Sequence, residues 1–145
     1  MKILITGGGG FLGSHLVERL LADHHSVDIV DLPETIEAGK IDHLKGNRSL
    51  NIYPGNILDK DLVDKLIRNC DIVFHFAAVV GVEHYVAKPY DVLQVNVNGT
   101  QLILDIALNY NKKVVFASTS EVYGKSEKMP FCEDDDRVLG ATNID

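Results

Sequence analysis

Residues 5–15 read Ile-Thr-Gly-Gly-Gly-Gly-Phe-Leu-Gly-Ser-His and close the apolar run that begins at Ile3. Gly7, Gly10 and Gly13 follow one another at intervals of three. Between a strand and a helix, each such glycine has its own task. The first lets the chain turn tightly, and the second lets the backbone approach phosphates with no Cβ in the way. The third lets the helix pack close to the strand. The context is present: a buried-strand pattern comes before, and Leu16, Val17, Leu20 and Leu21 continue afterwards at helical spacing. The N–H groups of Phe11 and Leu12 open that helix, where its dipole favours an anion. The stretch therefore reads as a pyrophosphate cradle rather than a flexible loop.

A second apolar run, Val27 to Val30, ends in Asp31, which lies 21 residues after Gly10. A carboxylate at that place binds the ribose hydroxyls of adenosine and repels a 2′-phosphate. The expected cofactor is NAD rather than NADP, with Asp31 and Leu32 at its adenosine end.

The chain has 145 residues, 46% of them hydrophobic, which suits one globular domain with a true core. With a net charge of −7 and no basic stripe, nucleic acid and anionic membranes are poor partners, and the cofactor's charge must be met by backbone N–H groups. Cys70 and Cys132 form no CxxC pattern, so free thiols in a reducing cytoplasm are expected. A strand beginning at residue 2 leaves no room for a signal peptide. The apolar run Ile72 to Val82 is too short for a membrane span and contains His75, so it reads as a buried parallel strand. No metal site is expected.

Strand-like runs recur at residues 2–6, 26–31, 50–53, 71–77 and 113–118, with helical patterns at 11–23, 59–68 and 90–110. Residues 35–46 read as a short helix or a loop. Strand and helix in alternation predict an α/β fold, a doubly wound parallel sheet with right-handed crossovers. Residues 133–136, Glu-Asp-Asp-Asp, read as a solvated loop. The 90–110 helix is apolar on more than one face, through Val92, Leu93, Val95, Leu102, Ile103, Leu104, Ile106 and Leu108. Such a helix is either deeply buried or paired with a second subunit, which would make a homodimer.

Four further segments carry candidate chemistry. Gly55-Asn56-Ile57 follows the third strand, where the Asn56 amide and the adjacent N–H can read an adenine edge; the pair is also good turn chemistry. His75-Phe76-Ala77-Ala78 ends the fourth strand, and small residues there let a flat cofactor lie against the strand's carboxyl edge. Asn96 stands inside the long helix, where asparagine is unfavourable unless it bonds a nearby backbone group. Ala117-Ser118-Thr119-Ser120-Glu121-Val122-Tyr123-Gly124 ends the fifth strand, where hydroxyls can bind a substrate oxygen and a carboxylate can act as acid or base. Ser118 is counted with the cofactor contacts, and Thr119, Ser120 and Glu121 with the catalytic groups.

Taken together, these segments resemble the extended short-chain dehydrogenase/reductase family of sugar-nucleotide epimerases, dehydratases and decarboxylases, over essentially the whole chain. The resemblance implies a Rossmann domain over 1–145, NAD as cofactor and a nucleotide sugar as substrate. It implies that Ser120 is the hydroxyl partner of a Tyr-x-x-x-Lys pair, which this sequence lacks: the residue four after Tyr123 is Glu127. The sheet is then expected to stop after about five strands, without the substrate domain, and this chain alone to be inactive. Glu121 beside Ser120 resembles UDP-glucuronate decarboxylases and sugar-nucleotide dehydratases more than 4-epimerases, which remain the alternative. A non-catalytic NAD-binding module is the reading from another class. Asn56 stands where the family usually has Asp, and Gly9 where many members have Ala, an exchange expected to be harmless.

Overall fold

The computed structural model describes residues 1–140, the side chain of Val82 excepted, so the last five residues of the expected 1–145 domain lie outside the described residues. Five strands form one parallel sheet: β1 (Lys2–Thr6), β2 (Ser26–Asp31), β3 (Leu50–Pro54), β4 (Ile72–His75) and β5 (Lys113–Phe116), in the order β3-β2-β1-β4-β5. The order reverses beside β1, whose carboxyl end runs straight into the glycine turn. In open α/β sheets that switch point is where ligands bind.

Alternation along β1 sends its side chains to two separate cores. Leu4 joins Val30, Val63, Leu66, Ile67, Val73, Ile103 and Ile106 on one face. Ile3 and Ile5 join Val17, Val27, Ile29, Ile36 and Ile41 on the other. The covering helices are α1 (Phe11–Ala22), α2 (Pro33–Glu37), α3 (Lys60–Arg68), α4 (Val82–Ala87), α5 (Pro89–Leu93) and α6 (Thr100–Asn109). The Asp59 carboxylate caps α3 by accepting from Leu62 N–H at 3.1 Å. Asp28 interrupts the second apolar run and is nonetheless buried, because Lys2 Nζ at 2.9 Å and Asn51 Nδ2 at 2.8 Å supply partners.

Two expectations need correction. The strand expected over 71–77, inside an apolar run that continues to Val82, ends at His75, and the residues after Gly81, which has a φ of +106°, form α4. An unbroken apolar run does not distinguish a strand from the exposed loop and helix that follow it. The helix expected over 90–110 does run from Pro89 to Asn109, but it contains a π turn at Gln94–Gly99 between α5 and α6. Both of the faces foreseen for it are present. Ile103, Ile106 and Ala107 are buried, while Tyr90, Leu93, Val97, Leu104 and Leu108 are exposed.

Candidate functional site

The glycine turn is built as its spacing requires. Gly7 has a φ of +76°, and a Cβ there would stand 2.7 Å from Ala77 N. A Cβ on Gly13 would stand 2.1 Å from Gly7 O. Gly10 differs, since its Cβ would meet only Gly7 O, at 3.2 Å. The first helical bond of α1 runs from Ser14 N–H to Gly10 O at 3.0 Å, so the N–H groups of Phe11 and Leu12 precede it at the open end of the helix. Above them lies a cleft of about 390 Å³. Its walls include Gly7, Gly10, Phe11, Leu12, Gly13, Asp31, Leu32, Asn56, Ile57, Phe76, Ala77 and Ala78. Gly55, which opens the Gly55-Asn56-Ile57 segment, lines it as well, as do Thr35, Val79, Val80 and Val95, which the sequence did not point to as site residues. Thr35 carried no motif signal because its short helix α2 was itself ambiguous.

Asp31 is 9% exposed and held by two backbone donors, Gly9 N–H to Oδ2 at 2.9 Å and Leu32 N–H to Oδ1 at 2.8 Å. Burial raises its carboxyl above the ordinary value by more than the Leu32 and Gly9 N–H groups lower it. Alanine in place of Gly9, an exchange expected to be harmless, would make one tight contact, with the end of the Asp31 side chain. Its Cβ would lie 3.3 Å from Asp31 Oδ2 and 3.4 Å from Thr35, so a small shift of the carboxylate accommodates it. At the far side of the cleft, Asn56 Oδ1 accepts from Leu58 N–H at 2.9 Å, which leaves its Nδ2 donor as the free end of the amide.

A second cavity, of about 700 Å³, shares Phe76, Ala77, Ala78, Val79 and Val80 with the first. Asn96, Ser118, Thr119 and Glu121 line it, together with His75, Tyr85, Thr100 and Phe116. Ser120 lines neither cavity, although its neighbours on both sides do. The cause is local. Residues Ser120–Tyr123 form a 3₁₀ turn, and Thr119 Oγ1 caps it by accepting from Glu121 N–H at 3.3 Å. Asn96, in the π turn, faces the shared wall: its Oδ1 accepts from Val79 N–H at 2.8 Å and its Nδ2 donates to Val79 O at 2.9 Å. Single π turns recur where a helix must turn a side chain toward a site.

Among the described residues, no helix is long and apolar enough to cross a membrane. The family described as GDP-mannose 4,6 dehydratase is matched over residues 4–138. The UDP-N-acetyl-alpha-D-glucosaminuronate decarboxylase of Bacillus cytotoxicus is 47% identical over 142 residues, covering 98% of this chain and 43% of that protein. The UDP-glucose 4-epimerase of Bacillus subtilis is 34% identical, covering 99% and 43% respectively. A crystal structure of UDP-glucuronic acid 4-epimerase from Bacillus cereus, in complex with UDP-glucuronic acid and NAD, superposes with a TM-score of 0.84 at 32% identity. That superposition covers 96% of this chain and 46% of the other. The chain thus spans less than half the length of these relatives. From the glycine cradle, the sheet order and these matches, it follows that the chain belongs to the GDP-mannose 4,6 dehydratase family and corresponds to the N-terminal part of sugar-nucleotide epimerases and decarboxylases.

Proposed function

We propose that this chain is the NAD-binding portion of a nucleotide-sugar-modifying enzyme working through a 4-keto sugar, a uronate decarboxylase or a dehydratase ahead of a 4-epimerase. The observation that carries the reading is the wall Phe76–Val80, which is common to the glycine cleft and to the cavity of Thr119 and Glu121. A cofactor lying along that wall would meet a substrate held on its other side.

The residues fit NAD. The N–H groups at the start of α1 would take the pyrophosphate, and Gly10 would leave room for it. Asp31 keeps lone pairs for the ribose hydroxyls and opposes a 2′-phosphate. Asn56 would donate through Nδ2 to a ring nitrogen of adenine, where an aspartate would have accepted. NAD, when bound, supplies the acceptor for a hydride from a sugar carbon. The Thr119 hydroxyl already accepts from Glu121 N–H, so its own proton is available to a sugar oxygen. We assign the substrate contact to Thr119 rather than Ser120, because Thr119 lines the second cavity and Ser120 does not. Glu121 would serve as the acid or base of the step after oxidation. The decarboxylase at 47% identity supports this order of readings.

Calorimetric titration tests the cofactor assignment. NAD should bind at least tenfold more tightly than NADP, about 1.4 kcal/mol, and Asp31→Ala should narrow the gap. Equal or tighter binding of NADP rejects the assignment. These 145 residues contain no Tyr-x-x-x-Lys. Mixed with NAD and UDP-glucuronate, they should give neither NADH absorbance nor carbon dioxide, and turnover above background would mean that another residue acts as the base.

The exposed stripe Tyr90, Leu93, Val97, Leu104 and Leu108 is assigned to a second copy of the chain. The other face of the same helix is already buried in the core, and a stripe along one continuous helix can pair with itself about a two-fold axis. Sedimentation should show a dimer that Leu104→Glu dissociates; a monomer at every concentration removes the assignment. The two cysteines are free, which suits a reducing cytoplasm.

A further inference from the structure

Thr6, at the end of β1, and His75, at the end of β4, are both fully buried and lie side by side in the sheet. Thr6 Oγ1 stands 2.6 Å from His75 Nδ1, and His75 Nε2 stands 3.0 Å from Thr100 Oγ1. The direction of each bond follows from counting hydrogens. Thr100 has one hydroxyl hydrogen, and it goes to Asn96 O at 2.7 Å. Toward His75, Thr100 can therefore only accept, so Nε2 must carry the ring proton. Nδ1 is then bare and accepts the hydroxyl hydrogen of Thr6. The Thr6 oxygen in turn accepts from Ala77 N–H at 3.2 Å. With the opposite tautomer, a bare Nε2 would face a hydroxyl whose hydrogen is already committed. No described buried side-chain polar atom lacks a partner, in keeping with the first assignment.

The bonds therefore run one way, from Ala77 N–H through Thr6, His75 and Thr100 to the Asn96 carbonyl. The Asn96 side chain then returns to Val79 N–H and O, which closes a ring on the loop where it began. We propose that His75, as its Nε2–H tautomer, is a positioning residue that fixes the wall at Ala77–Val79 and thereby sets affinity in both cavities. This assigns His75 no contact with the reacting atoms. It rests on the reading of the first cavity as an NAD site only for its binding readout. A buried network of this kind is rigid when every member is satisfied and fails as a unit when one is removed.

The test uses the 145-residue chain labelled with ¹⁵N-histidine. Imidazole NMR at pH 7 should show His75 neutral with the proton on Nε2. Thr100→Val keeps the side-chain shape but deletes both bonds of the hydroxyl. It should speed amide exchange at Ala77 and Val79 and weaken NAD binding about tenfold, while Thr100→Ser stays within about twofold of the parent. A His75 protonated on Nδ1 or on both nitrogens overturns the proposal. So does a folded Thr100→Val with parental exchange and affinity. Should Thr100→Val not fold, the unsubstituted chain decides by its tautomer and by whether Ala77 and Val79 exchange more slowly than Val80. Should the parent bind no NAD, the proposed function falls, while the tautomer and exchange measurements still decide the ring.

Discussion

Gly13→Ala should unfold the domain at a markedly lower temperature than the parent. The added Cβ would fall 2.1 Å from Gly7 O, 2.8 Å from Gly8 Cα and 2.9 Å from Gly7 C, all of them backbone atoms. That backbone is pinned: Gly7 N–H donates to Val30 O at 2.9 Å, and Gly7 O accepts from Gly10 N–H at 3.2 Å. The other way to relieve the clash is to lift α1 from β1, which would open the core around Val17, now completely buried. Alanine gains about 1 kcal/mol over glycine as a helix former. Overpacking against atoms that cannot move costs about 3 kcal/mol or more, so the loss prevails. For a domain of this size the midpoint should drop by roughly 8 °C or more. Thermal unfolding followed by circular dichroism reads the result, and a midpoint equal to the parent's would show that the turn is softer than its contacts imply.

Gly10→Val should have the opposite character, a fold kept and a ligand lost. Gly10 has a φ of −73° and a ψ of −178°, which is extended backbone that valine adopts readily. Its Cβ would meet only Gly7 O, at 3.2 Å, and the two methyl groups would enter the cleft. Valine is a poorer N-cap than glycine, so a loss of about 1 kcal/mol of stability is expected. NAD affinity should fall on the order of 100-fold, about 2.7 kcal/mol, because the pyrophosphate and the methyl groups need the same space. Calorimetry beside a far-ultraviolet spectrum separates the two effects. A folded variant with parental affinity would put the cradle elsewhere.

The parallel sheet and the glycine cleft were legible because both rest on local pattern. Hydrophobic period and glycine spacing are properties of neighbouring residues, and strand ends read from them fall within two residues of those observed. What was not legible depends on pairs distant in sequence or on the sense of a single turn. The apolar composition of Ile72–Val82 masked the end of β4, since the change from buried strand to exposed loop leaves no mark in hydrophobicity. Which hydroxyl of Thr119 and Ser120 faces the second cavity is decided by a 3₁₀ turn, whose phase the residue types do not encode. Thr6, His75 and Thr100 meet across separations of 69 and 25 residues, and only the sheet order brings them together.

The wall Phe76–Val80 has one more consequence, since it belongs to two compartments at once. Molecules resting in the two cavities would touch the same few backbone units, so a shift of that backbone caused by one would be felt by the other. Thermodynamic reciprocity then applies: whatever factor the first occupant adds to the affinity of the second, the second must return to the first. Where that factor differs from one, a Kd measured for either depends on the other's concentration.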